Sequence, residues 1–135
     1  MYTSAIECNK QQALKLALNY GLVTLLTVTL GWIYERFSHG VYSDHTIYSF
    51  IFPLTGGVLF WLVAGTLEKG FYVNKLFLNM QAASIATLTL GFIVKGVLDI
   101  YGTSSSLVDV YWVVGGLLAM AAIITLVRIN SPVKR

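Results

Sequence analysis

One stretch of this chain is written twice. Residues 15–35 read KLALNYGLVTLLTVTLGWIYE, and residues 75–95 read KLFLNMQAASIATLTLGFIVK. Both copies keep the frame K-L-x-L-N, then seven residues, then T-x-T-L-G-aromatic-I. Nine of the first nineteen aligned positions are identical, without a gap. A looser echo at an offset of fifty-nine sets Gly56-Gly57 against Gly115-Gly116, Leu59 against Leu118 and Thr66-Leu67 against Thr125-Leu126. Internal repetition constrains a fold more than any local propensity, because each copy must adopt the same supersecondary unit. The expectation is a tandem duplication of one helical hairpin, with repeat 1 at about 13–67 and repeat 2 at about 73–128.

Composition decides where such hairpins live. The 135 residues are 56% hydrophobic and only 11% charged, with a mean hydropathy of +0.72. Four apolar segments, 13–36, 47–67, 75–98 and 107–128, each approach the roughly twenty residues needed to cross a ~30 Å hydrocarbon layer. The chain reads as a single integral membrane domain over 1–135, an all-α bundle of four transmembrane helices. Two spans per repeat give both copies the same orientation, so the hairpins are expected to be related by a pseudo-two-fold axis along the membrane normal.

Charge position sets topology. Lys10, Lys15, Lys69, Lys75, Arg128, Lys134 and Arg135 fall on one side of a four-span arrangement, and only Arg36 and Lys95 on the other. The positive-inside rule then predicts a cell-membrane protein with cytoplasmic N- and C-termini and outward-facing tips at 37–46 and 99–106. The polar start MYTSAIECNKQQ lacks the basic-then-apolar pattern of a removable signal peptide. The net charge of +3 is spread along the membrane flanks, which suits anionic lipid headgroups and gives no basis for nucleic-acid binding. Cys8, the single cysteine, excludes an internal disulfide and reads as an idle thiol.

On a helical wheel Thr24, Thr27, Gly31 and Glu35 share one stripe of the first span, and Ser84, Thr87, Gly91 and Lys95 share the equivalent stripe of the third. Small and hydroxyl-bearing residues permit close helix approach and interhelical hydrogen bonds. The two stripes are therefore expected to face the bundle interior, where Glu35 and Lys95, equivalent in the repeat and opposite in charge, could pair. Gly40 is expected to end the first span, Ser43 or Asp44 to cap the second, and Pro53 to kink it.

Ionisable residues at the end of a polar stripe are the strongest functional lead. They predict a ligand- or partner-binding site of Glu35, Lys95, Arg36, His39 and Asp99, with the structural ion pair as the competing interpretation. His39 and His45 are the only histidines, and histidine can ligate haem iron. Both fall at one hairpin tip, where exposed loop histidines are the simpler explanation. Aromatic residues crowding the same half fit an interfacial belt, or a pocket for a flat ligand such as quinone. No phosphate-binding glycine loop, metal-ligand motif or nucleophile beside a base occurs, so no catalytic residue and no metal site is assigned. Small four-helix drug-resistance transporters carry an acidic residue midway along their first helix; here that helix is uncharged between Lys15 and Glu35.

The sequence thus predicts a small polytopic membrane protein acting as a ligand-binding or assembly subunit, with a membrane-protein partner or a second copy of itself. The alternatives are a redox subunit holding haem b or quinone near the outer face, and a small-solute or lipophilic-cation transporter.

Overall fold

The computed structural model describes residues 5–67 and 71–131. The chain runs β1 (Ile6–Glu7), α1 (Lys10–Phe37), α2 (Asp44–Tyr48), a π-helical segment (Pro53–Leu59), α3 (Phe60–Thr66), β2 (Tyr72–Val73), α4 (Lys75–Ile100), a 3-10 turn (Ser106–Val108) and α5 (Asp109–Asn130). Four spans, Lys10–Phe37, Asp44–Thr66, Lys75–Ile100 and Ser106–Asn130, are long and apolar enough to cross a membrane. Leu18, Leu22, Leu25 and Leu26 of α1, and Val113, Leu117, Met120 and Ile123 of α5, stand exposed, as an outer surface solvated by lipid tails requires. Of the basic residues used to orient the chain, Lys69, Lys134 and Arg135 lie outside the described residues.

The first helix starts a turn before its apolar run because Asn9 caps it. The Gln12 amide donates to Asn9 Oδ1 at 3.0 Å, and the Gln12 side chain accepts from the Asn9 amide, a reciprocal capping box. The helix ends at Ser38, followed by His39 and Gly40 at φ 55° and 87°. Left-handed backbone at Gly40 was expected; at His39, a residue with a Cβ, it was not.

The second span is not one helix. Pro53 carries no amide hydrogen, and from Pro53 to Leu59 the backbone widens into a π-helix before resuming at Phe60. A kink was the expectation; the bend is spread over a seven-residue wide segment. The Gln81 side chain of α4 donates at 2.8 Å to the carbonyl of Gly56 within it. Irregular backbone at membrane depth survives where a neighbouring helix supplies such a partner.

At the end carrying the termini, β1 and β2 form a short antiparallel pair, Ile6 opposite Val73 and Glu7 opposite Tyr72. Asn130 at the end of α5 completes it. The Tyr72 amide donates to Asn130 Oδ1 at 2.9 Å, and Asn130 Nδ2 donates to the Tyr72 carbonyl at 3.0 Å. Two-residue strands are too short to leave a periodic signal in the sequence. Above this pair lies the main core, Ala13, Ala17, Trp61, Ala64, Val73, Phe77 and Ala122. Trp61 is 0% exposed and packs edge-on against Phe60. Burial raises the Cys8 thiol above its ordinary pKa, which suits an unreactive role.

The polar stripes turn to the bundle interior, with Thr24, Thr27 and Ser84 buried, but not to each other. Gly31 of α1 lies against Thr46 of α2, while Gly91 of α4 lies against Tyr111 of α5. Ser84 donates across to the Gly115 carbonyl of α5 at 2.9 Å. Each stripe therefore meets the second span of its own hairpin. The threonine hydroxyls of the stripes, Thr24, Thr27 and Thr87, bond the carbonyl four residues back in their own helix at 2.7–2.8 Å. A hydroxyl that can close this local bond has no need of a neighbouring helix.

Candidate functional site at the hairpin tips

The opposite end of the bundle is organised around Thr46. A β-carbon on Gly31 would come within 3.3 Å of the Thr46 carbonyl oxygen. One on Gly96 would lie 2.8 Å from the Thr46 amide nitrogen. Two glycines thus admit α2 between α1 and α4 at backbone contact. Helical spacing puts Glu35 one turn beyond Gly31, Ser43 about one turn before Thr46, and Asp99 about one turn beyond Gly96. The close crossing brings these polar residues to one level of the bundle.

Asp99 is the hub. Its Oδ1 lies 2.9 Å from Lys95 Nζ, four residues earlier on the same helix. Its Oδ2 lies 2.9 Å from His45 Nδ1 and accepts from Ser43 Oγ at 3.3 Å. Ser43 stands at the N-cap position of α2 but makes no side-chain cap bond, its hydroxyl being directed to Asp99. The His45 ring packs on Phe92, centroids 5.4 Å apart, and Phe92 in turn meets Phe52 and Trp112 edge-on. The side chains of Lys95, Asp99 and His45 are each about one-third exposed, so the Lys95–Asp99 ion pair and the His45–Asp99 contact are solvated and add about 1 kcal/mol or less apiece.

Glu35 and Lys95 do not pair. Lys95 is engaged by Asp99, and no Glu35–Lys95 ion pair forms among the described residues. The reason is local: an aspartate at i+4 is reached along one helix face, whereas Glu35 follows a stripe turned to its own hairpin partner. Glu35 Oε1 is left buried and without a hydrogen-bond partner, as is Thr46 Oγ1.

The other candidates sit around this cluster. Arg36 stacks over Trp32 at 5.0 Å, and with Glu35 and Tyr42 these residues line an open recess of about 220 Å³. His39 lines a separate hollow of about 380 Å³ with Tyr34, Phe37, Ser38, Ile100 and Tyr101. The two histidines therefore have different surroundings, His39 in this hollow and His45 against Asp99. Among the described residues no group of three or more His, Cys, Asp or Glu could hold a metal ion.

Ser43 and His45 join the cluster without a sequence signal of their own for it. The sequence points to Ser43 only as a helix cap, and to His45 as an exposed loop residue or a haem ligand. The available signal was Asp99 itself, an acid one turn past Lys95 at a membrane boundary. No family model, curated protein or solved structure matches the chain.

Proposed function

We propose that this chain is a non-catalytic membrane subunit that binds a partner or ligand at the end carrying its hairpin tips. Glu35, Arg36 and His39 make the contact, and the Asp99–Lys95–His45 cluster holds the three helix ends that carry them. The observation behind the reading is the buried, unpartnered Glu35 carboxylate oxygen. Such an oxygen destabilises the free protein by about 1–3 kcal/mol or more, and a donor from a partner would remove that cost. The open recess beside it, bounded by Trp32, Arg36 and Tyr42, gives a donor a route in.

In this proposal the two hairpins descend from one ancestral unit and are related by a pseudo-two-fold axis along the membrane normal. The tips face outward from the cell membrane and the termini face the cytoplasm, as the basic flanks favour. The partner is another membrane protein or a second copy of the chain. A haem held by His39 and His45 has less support, since one imidazole nitrogen of His45 is taken by Asp99 and His39 lines a different hollow.

The test is photocrosslinking from position 39 in native membranes, followed by purification of the adduct. Glu35→Ala is expected to lower the adduct yield at least tenfold while leaving the thermal unfolding midpoint unchanged or raised. Undiminished crosslinking, or loss of crosslinking only alongside a lowered midpoint, would make Glu35 a structural residue and remove the proposal.

A further inference from the structure

The end carrying the termini holds a second site, which the proposal above does not use. The second turn of α1 and the first turn of α4 face each other across a groove of about 290 Å³. Leu16, Leu78, Ile6 and Val73 make its walls apolar. Its rim carries Lys15 and Lys75, the two lysines that open the repeated stretch. Both are exposed, and neither forms an ion pair among the described residues.

Among the described residues no carboxylate lines the groove. Successive side chains of a strand point to opposite sides, so Ile6 lines the groove while Glu7 lines a different recess with Asn9, Lys10 and Thr66, and Cys8 borders both. The start of α4 adds to the positive end. Asn74 caps the Phe77 amide at 2.8 Å, which leaves the earlier first-turn amides of Lys75 and Leu76 outside the cap. Two cations over an apolar floor, at the boundary of a membrane span, match one kind of molecule. It carries negative charge at the headgroup level and hydrocarbon directly below.

We propose that this groove is a binding site for a phospholipid with an anionic headgroup, whose phosphate lies between Lys15 and Lys75 and whose acyl chain follows Leu16 and Leu78 into the bilayer. The cations come one from each repeat, so the site exists only when the two hairpins are docked. A lipid in it bridges α1 and α4.

Native mass spectrometry of the purified, delipidated protein with dioleoyl phosphatidylglycerol or dioleoyl phosphatidylcholine tests this. The wild type is expected to retain the anionic lipid about 25-fold better, from roughly fivefold for each of two basic residues at a membrane surface. Lys15→Gln with Lys75→Gln should bring the ratio close to one. Lys15→Arg with Lys75→Arg should keep it, and Lys10→Gln, in the neighbouring recess, should leave it unchanged. Equal retention of the two lipids by the wild type overturns the proposal. So does an equal loss with Lys10→Gln, which would mean diffuse surface charge. Equal protection by inorganic phosphate alone would mean an anion site without a lipid, and would also overturn it. Should the double glutamine variant not fold, the single variants decide, each expected to lose about half of the preference on a logarithmic scale.

Discussion

Thr46 shows how one residue sets the spacing of the tip end. It is 3% exposed, and the glycines on either side of it do different amounts of work. At Gly31 an added methyl would press on one carbonyl at 3.3 Å; at Gly96 it would run into the Thr46 backbone and side chain together. Gly96→Ala should therefore lower stability by about 1–3 kcal/mol, the usual range for overpacking a closed contact. Gly116, with nothing within 4 Å of its added methyl, should tolerate alanine and gain up to about 1 kcal/mol in helix propensity. Thermal unfolding of both variants in the same detergent checks the pair; equal effects would contradict the close packing of α2. Residue roles were only partly legible in the sequence. Gly31 and Gly91 stand out in the sequence as small residues for close approach, and both are so used. The pairing of Glu35 with Lys95 was not realised, because a repeat fixes which positions are equivalent but not which way they face. Lys95 had a carboxylate within reach on its own helix.

At the scale of elements, the four spans were legible because length and hydropathy alone define them, and their ends shifted by only a few residues. What was not legible depends on contacts between distant segments. The π-helical turn after Pro53 is stabilised by Gln81 from another span, and the β1–β2 pair is completed by Asn130, fifty-eight residues beyond Tyr72. The Asn130 side-chain amide takes the place of a neighbouring strand, accepting one hydrogen bond from the Tyr72 backbone and donating one to it. Asn130→Ala should raise the hydrogen-exchange rate of the Tyr72 amide by about tenfold, in line with the loss of bonds worth ~1 kcal/mol each. The Phe77 amide, capped by Asn74, should stay as protected as before. An unchanged rate at Tyr72 would mean that the strand pair holds without α5.

Over the whole molecule, each hairpin is closed chiefly by its own contacts, Gly31 to Thr46 in the first and Gly91 to Tyr111 with Ser84 to Gly115 in the second. The hairpins then join at both ends. Asp99 ties α4 to α2 at the tips, and the strand pair with the Trp61 core ties the first hairpin to the second near the termini. This leaves a polar end with an unused acceptor and a basic end with an apolar groove, and both proposals depend on those ends lying on opposite sides of a membrane. Labelling with a membrane-impermeant maleimide tests that dependence directly, with single cysteines at Gly40, Gly102 and Ser131 in a Cys8→Ser background. Gly40→Cys and Gly102→Cys are expected to react on intact cells, and Ser131→Cys only after permeabilisation. Labelling of the two tips from opposite sides, or of position 131 from outside, would contradict this topology.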